Sequence, residues 1–304
     1  MPGEFDLIDW IRAQHPPSDF VPVPQGDDLA VLRWSADDLL LVGVDQVLDG
    51  VHFESAVHAP RQIGRKVMNR NLSDCAAMAC LPAAAVATVA LPKGVGVEYA
   101  KDLYLGLRDA ADPFGCAIVG GDTGSWGGKL VVTVTILGRS AGFQPVTRGG
   151  AKAGDAVYVT GRLGGSILGR HMTFSPRVRL ARSLAEAGTV NAMIDLSDGL
   201  SRDLGHICRQ SGVGAVVDAF RVPVHPDAEE LSRQDGRDPL DHALNDGEDY
   251  ELLFTAPPPH GPEGGTRPDG LWRIGTVTPE LGTWLVFRDG TKRPLAAEGW
   301  EHPL

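Results

Sequence analysis

Aspartates recur where apolar runs end or glycine-rich stretches begin. The five places are Gly26-Asp27-Asp28, Val44-Asp45, Ser73-Asp74, Gly120-Gly121-Asp122-Thr123 and Asp195-Leu196-Ser197-Asp198-Gly199. A single Asp in such a place is ordinarily a cap or a turn former. A fold that gathers several carboxylates must set cations between them, because their repulsion and lost solvation are otherwise costly. Magnesium suits that role, since it takes hard oxygen ligands and keeps water and substrate phosphates in its shell. With ATP present, carboxylate and phosphate oxygens become ligands of the same ions, and an acidic protein can hold an anionic substrate.

The charge balance needs that arrangement. The 304 residues carry a formal net charge of -11, which argues against nucleic acid or an anionic membrane as partner, since both are held by Lys and Arg. No apolar run approaches a membrane span, and the first residues carry an acid where a signal peptide would be basic, so a cytoplasmic location is expected. A hydrophobic fraction of 43% can fill a substantial core. Cys75, Cys80, Cys116 and Cys208 form no CxxC pair and read as reduced, buried or partly buried thiols.

Periodicity predicts a short amphipathic helix at Phe5–Ile11, strands at Leu29–Trp34 and Leu39–Asp45, and a helix through Ile63, Val67 and Leu72 into Ala76–Ala79, broken at Pro82. A strand Ala85–Leu91, a helix through Tyr99, Leu103, Leu107 and Ala110, and an alternating strand Leu130–Gly138 complete the first half. The small, polar stretch Thr147–Asp155 marks a domain boundary, dividing the chain into 1–148 and 149–304. Beyond it, strands are expected at Ala156–Thr160, Val190–Leu196, Ala215–Asp218, Tyr250–Thr255, Trp272–Val277 and Thr283–Phe287. One helix is expected at about Leu200–Gln210, and a surface loop at His260–Asp269. Without a strict βαβ rhythm, the class is α+β.

Each candidate site has a plainer reading beside it. Gly120–Gly124 can bring backbone N–H groups to a phosphate while Asp122 holds a metal, or it can be a simple turn. The Walker A pattern is absent, because Leu130 stands after Lys129 where Ser or Thr is required. Asp198 can cap the helix that follows it, or it can face metal and phosphate with Ser197 and Asp195. Gly247-Glu248-Asp249-Tyr250-Glu251 reads first as a solvated acidic loop. His52 and Tyr104 read first as packed residues, and Arg148 as structural or as a phosphate clamp.

Taken in order, the motifs resemble thiamine-monophosphate kinases. They are Gly3-Glu4-Phe5, Gly26-Asp27-Asp28, Gly50-Val51-His52-Phe53, Asn71-Leu72-Ser73-Asp74, Gly120–Thr123, Arg148 with Gly150-Ala151 and Gly154-Asp155, Ile194–Leu200 and Gly247–Leu252. The resemblance implies the two-domain fold shared with aminoimidazole ribonucleotide synthetase: an α/β N-terminal domain that pairs strands across a homodimer, and an α+β C-terminal domain. It also implies phosphorylation of thiamine monophosphate to thiamine diphosphate by ATP with several Mg2+ ions. By the same resemblance, Asp28, Asp45, Asp74, Asp122, Asp195 and Asp198 are metal ligands. Tyr104, Gly121, Asp122, Arg148 and Ser197 are ATP contacts, and His52, Glu248 and Trp300 are acceptor contacts. Asp122, Arg148 and Asp198 carry the catalytic roles.

Two departures stand out. Gly43-Val44 occupies the place where the family usually has Ser or Thr, and only Gly161 to Ser175 precedes Pro176-Arg177 where the family has a longer helical segment. Two other functions stay open on the sequence. One is a related ATP-dependent enzyme that activates a substrate oxygen and releases phosphate; the other is an inactive nucleotide-binding homologue.

Overall fold

The computed structural model describes residues 18–23, 26–35, 37–258 and 270–300. Gly3-Glu4-Phe5, the Phe5–Ile11 helix and the His260–Asp269 loop lie outside them. The chain forms two compact units. Asp19–Pro145 and His171–Arg182 make one; Val146–Arg170 and the chain from Ser183 onward make the other. The sequence suggested a single cut after Arg148. These units change over between Pro145 and Val146 and additionally exchange the segment His171–Arg182.

In the first unit a five-stranded sheet runs in the order β1-β2-β5-β3-β4. Its strands are β1 (Ala30–Arg33), β2 (Leu39–Leu48), β3 (Leu81–Pro92), β4 (Ala117–Trp126) and β5 (Val131–Arg139). All neighbours are antiparallel except β3 and β4, which are parallel. The β-branched alternation of β5 has the expected effect: Val132, Val134 and Ile136 are fully buried, while Val131, Thr133, Thr135 and Leu137 on the other face are half-buried. Helices α1 (Pro60–Ala77) and α2 (Gly96–Ala111) pack on each other, burying Ile63, Val67 and Leu72 of one and Leu103, Leu107 and Ala110 of the other. Pro60 opens α1 where its missing N–H is harmless, and Gln62 Oε1 accepts the Ala59 N–H at 3.0 Å. Pro82 does not end this helix, which stops at Ala77; it sits inside β3, beside an irregularity in the pairing with β5.

The segment His171–Arg182 belongs to this unit through specific bonds. Asn69 Nδ2 donates to the Phe174 carbonyl at 2.8 Å. Arg182 donates to the carbonyls of Ser140 and Ala141, each at 2.8 Å, with its guanidinium 4.2 Å above the Phe143 ring.

The second unit holds a seven-stranded sheet of order β12-β11-β8-β10-β6-β9-β7. The strands are β6 (Ala156–Val159), β7 (Ala192–Asp195), β8 (Gly214–Asp218), β9 (Leu252–Ala256), β10 (Trp272–Thr278), β11 (Gly282–Val286) and β12 (Lys292–Pro294). Helix α4 (Leu200–Ser211) presses Leu200, Leu204 and Ile207 into a core with Val157, Ile194, Val217, Leu253 and Leu285. The mixed, largely antiparallel pairing agrees with the α+β class. The helices α3 (Val178–Glu186), α5 (Pro226–Asp235) and α6 (Pro239–Asn245) and the strands β4 and β12 had no counterpart in the sequence.

Candidate active site

Within the first unit, Asp28 precedes β1 and Asp74 lies in the last turns of α1. Leu29 explains their approach: its N–H donates to Met78 Sδ at 3.2 Å, and its side chain is buried. Carboxylate oxygens of Asp28 and Asp74 consequently come within 4.8 Å of one another. A donor set of carboxylate oxygens alone fits a hard cation such as Mg2+ and offers nothing to a thiophilic metal. Gly43 is part of the same packing. A Cβ there would lie 2.3 Å from Leu29 Cδ2, so the Leu29 side chain fills the space that a side chain at position 43 would need. Val44 beside it is 65% exposed.

Asp45 has a partner the sequence did not suggest. Arg70, one helical turn before Asp74, donates from Nε to Asp45 Oδ2 at 2.5 Å and from Nη2 to Oδ1 at 3.2 Å. The fork geometry is that of a strong ion pair, and a metal at Asp45 would share the carboxylate with it.

The glycine-rich segment is not a turn. Gly120, Gly121, Asp122, Thr123 and Gly124 continue β4 as extended backbone paired residue by residue with β3, with Asp122 opposite Thr88. β4 is an edge strand and exposed along nearly its whole length. Between it, β3 and α2 lies a cleft of about 420 Å³, within the range of roughly 300–1,000 Å³ that small ligands occupy. Buried Leu91, Leu103 and Leu107 give it an apolar wall, and exposed Tyr104, Gly121 and Asp122 also line it. Tyr104 is therefore not a core residue: it is 46% exposed at this cleft.

His52 follows β2 and is buried. Its Nδ1 accepts the Leu48 N–H at 3.1 Å, which leaves Nε2 to carry the proton of the neutral ring. Fully buried Lys66 donates to the His52 carbonyl at 2.6 Å and lies 2.7 Å from His171 Nδ1.

In the second unit, the acidic loop with Glu248, and Trp300, converge on the turn between β7 and α4. Glu248 N–H donates to the Ser197 carbonyl at 2.8 Å, Tyr250 N–H to the Leu196 carbonyl at 2.9 Å, and Trp300 N–H to the Asp198 carbonyl at 2.9 Å. Asp195, at the end of β7, is buried. Gly247 is needed for the interlock. Its φ is +73°, and a Cβ would stand 2.6 Å from the Ser197 carbonyl oxygen.

Asp198 does not cap α4, whose N-cap residue is Gly199. The main-chain N–H groups of Asp198 and Gly199 donate instead to Asp203 Oδ2 at 3.2 and 3.1 Å, so a carboxylate inside the helix's first turns does the capping. Asp198, Asp203 and His206 offer ligand atoms within 4.8 Å of one another. Asp203 and His206 had escaped notice in the sequence, although their three-residue spacing on a helix places them on one face. Arg148 is held elsewhere on the same unit. Its carbonyl accepts from Ser211 Oγ at 3.1 Å, at the far end of α4 from Ser197.

The acidic loop Gly247–Glu251 is not a solvated surface feature. Asp249 and Glu251 are buried, and Thr160 Oγ1 donates to Glu251 Oε2 at 2.6 Å. Burial pushes the Asp249 carboxyl up to about 7 against the opposing pull of Arg170 and the Gly164 N–H.

Residues 26–140 match the N-terminal domain of AIR synthase related proteins, and residues 152–282 match the C-terminal domain. Thiamine-monophosphate kinase from Rhodopirellula baltica is 40% identical, over 98% of this chain and 97% of that protein. The chain belongs to the thiamine-monophosphate kinase family. Family members from Aquifex aeolicus and Escherichia coli are 31% and 32% identical, each across 99% of this chain. A structure of AaThiL complexed with AMPPCP and TMP aligns with a TM-score of 0.85 at 30% identity, covering 99% of this chain and 97% of that one. E. coli HypE, a hydrogenase maturation protein, shares the fold at 20% identity and a TM-score of 0.71.

Proposed function

We propose that this protein transfers the γ-phosphoryl group of ATP to thiamine monophosphate, giving thiamine diphosphate and ADP. The observation that carries the reading is the near-complete alignment with AaThiL, a structure holding AMPPCP and TMP. The residues present fit it. The 420 Å³ cleft offers an apolar wall for a base, with Tyr104 beside it and Gly121 and Asp122 near the phosphates. By the family resemblance Ser197 and Arg148 are the further ATP contacts, although the Arg148 backbone is held at the far end of α4 from Ser197.

Magnesium ions would be held by Asp28 and Asp74 with Asp45 and Asp122, and by Asp195 and Asp198. They would neutralise charge on both anions. The acceptor is a phosphate monoester already ionised near neutral pH, so no strong general base is required. Its oxygen attacks the γ-phosphorus in line, the bond to the β-bridging oxygen breaks, and ADP leaves. Asp122, Arg148 and Asp198 serve catalysis by fixing metal and transferring phosphoryl group. Neutral His52, donating from Nε2, Glu248 and the exposed face of Trp300 contact the acceptor. The outer edge of β4, which pairs with no other strand among the described residues, is suited to pairing with a second copy, which makes a homodimer the expected assembly. The acidic charge favours neither nucleic acid nor membrane and is compatible with a cytoplasmic enzyme.

Incubation with γ-labelled ATP, Mg2+ and thiamine monophosphate tests the reaction. Label is expected in thiamine diphosphate, in amounts equal to ADP. Label recovered only as free phosphate would favour an enzyme that activates a substrate oxygen and expels phosphate. Binding without turnover would favour an inactive homologue.

A further inference from the structure

Arg170 and Asp249 form a built ion pair beside the acidic loop. The Asp249 side chain is 1% exposed. It accepts the Gly164 N–H at 3.0 and 3.1 Å on its two oxygens, and Arg170 Nη1 and Nη2 at 3.1 and 3.0 Å on Oδ1. Arg170 Nη2 also donates to the Gly164 carbonyl at 2.8 Å, so the guanidinium closes the short Gly164–Arg170 segment upon itself. The neighbouring contacts join the same two stretches. Gly165 N–H donates to Asp246 Oδ2 at 2.9 Å, and Ser166 Oγ donates to the Gly247 carbonyl at 2.8 Å.

The residues flanking Asp249 are the unusual ones. Glu248 has φ +52° and Tyr250 φ +50°, left-handed conformations that a side chain with a Cβ resists. The Tyr250 hydroxyl donates to Glu248 Oε1 at 3.2 Å. Two such residues with one ordinary residue between them persist only where the surroundings hold them, and Asp249 is the residue whose side chain is anchored from inside. Strained backbone of this kind belongs to places where a side chain must be presented in one orientation.

We propose that Arg170 is a positioning residue for the acceptor: by clamping Asp249 it holds the backbone of Glu248 in the conformation that presents its carboxylate to thiamine monophosphate. This rests on the reading that Glu248 contacts the acceptor. The Arg170 fork is the operative feature, since a Lys keeps the charge but cannot bond Asp249 and the Gly164 carbonyl with the same planar geometry. The connection between Gly161 and Pro176 carries Arg170 and so supplies the clamp.

The test uses the full chain and four variants: Arg170→Met, Arg170→Lys, Glu248→Gln and the double variant Arg170→Lys/Glu248→Gln. Both Arg170 variants are expected to raise the KM for thiamine monophosphate by about tenfold while the KM for ATP stays within about twofold, a split that a general loss of structure would not give. Amide exchange in residues 246–251 should quicken in both. In the Arg170→Lys background, Glu248→Gln should add less than about twofold, because an already displaced carboxylate has little left to lose. An unchanged acceptor KM in a folded Arg170 variant overturns the proposal, as does an equal rise in both KM values or full additivity with Glu248→Gln. If Arg170→Met and Arg170→Lys both fail to fold, the pair is structural and the positioning role is rejected. Glu248→Gln alone separates the two levels. If it leaves the acceptor KM unaltered, the assignment of Glu248 fails; if it raises KM while the Arg170 variants do not, only the clamp fails.

Discussion

The main-chain N–H of Trp300 donates to the carbonyl of Asp198 at 2.9 Å, which ties the backbone of this exposed tryptophan to the turn before α4. The approach is close: a Cβ on Gly299 would stand 2.2 Å from the same carbonyl oxygen. Arg202 Nη2 secures the segment by donating to the Gly299 carbonyl at 2.8 Å.

With its backbone held this way, Trp300 can offer its face to the cationic thiazolium ring of the acceptor. Trp300→Ala should raise the acceptor KM by about 2- to 30-fold, the equivalent of roughly 0.5–2 kcal/mol for a cation–π contact, with ATP affinity little changed. Steady-state kinetics with each substrate varied in turn checks this. An unaltered acceptor KM would remove Trp300 from the site.

Asp122 is exposed on an edge strand, and its carboxylate accepts only the neighbouring Thr123 N–H, at 2.9 Å, among the bonds the structure records for it. Asp122→Asn should therefore lower turnover by on the order of 100-fold while leaving the melting temperature nearly unchanged. Near-normal turnover would reduce this part of β4 to a structural role.

Asp28 and Asp74 bring carboxylate oxygens within 4.8 Å of one another, and a few carboxylates do not complete an octahedral shell around a hard cation without water and phosphate oxygens. Calorimetry should show weak Mg2+ binding alone and tight, coupled binding with a non-hydrolysable ATP analogue. Chelation should abolish turnover without unfolding the protein. Equal Mg2+ affinity with and without nucleotide would falsify the arrangement.

Asp249 sets a pH dependence of stability. Its folded-state carboxyl is raised from an ordinary value near 3.8 to about 7, so the folded chain binds the proton more tightly than the unfolded one. Stability should fall as pH rises from about 4 to about 7 and be level above, in the sense required by linkage. Asp249→Asn removes a titrating group. The urea midpoint of the wild-type protein minus that of the variant should thus shrink between pH 5 and 7. A constant difference across that range would mean that Arg170 keeps the carboxylate ionised throughout.

Much of this architecture was readable because the burial pattern is written into individual strands and helices. The alternation of β5 and the 3.6-residue spacing of Leu200, Leu204 and Ile207 lead directly to the observed elements. Helices α5 and α6 escaped because they are short: each opens on a proline and buries few side chains, so no apolar stripe marks them. The glycine-rich stretch of β4 misled for the opposite reason. Gly-Gly is a strong local signal for a turn, yet pairing with β3 overrides it. The acidic motifs carried no information about the partners of their carboxylates. Arg70 on Asp45 and Arg170 on Asp249 are separated from them by 25 and 79 residues, distances at which local spacing carries no information.

The exchange of His171–Arg182 between the compact units has a consequence for how the protein is made. The first unit receives its last piece, including the Arg182 that caps three carbonyls near Ala79, Ser140 and Ala141, only after the residues from Val146 to Arg170 have left the ribosome. Chains emerge at roughly 5–20 residues per second, and domains that are continuous in sequence can fold in turn as they appear. Here that order is broken. A nascent chain ending near Arg148 carries the whole five-stranded sheet but lacks the strap that closes it, so it should stay protease-sensitive until about residue 182 is free, and the second unit, whose sheet ends with β12, should become resistant only later.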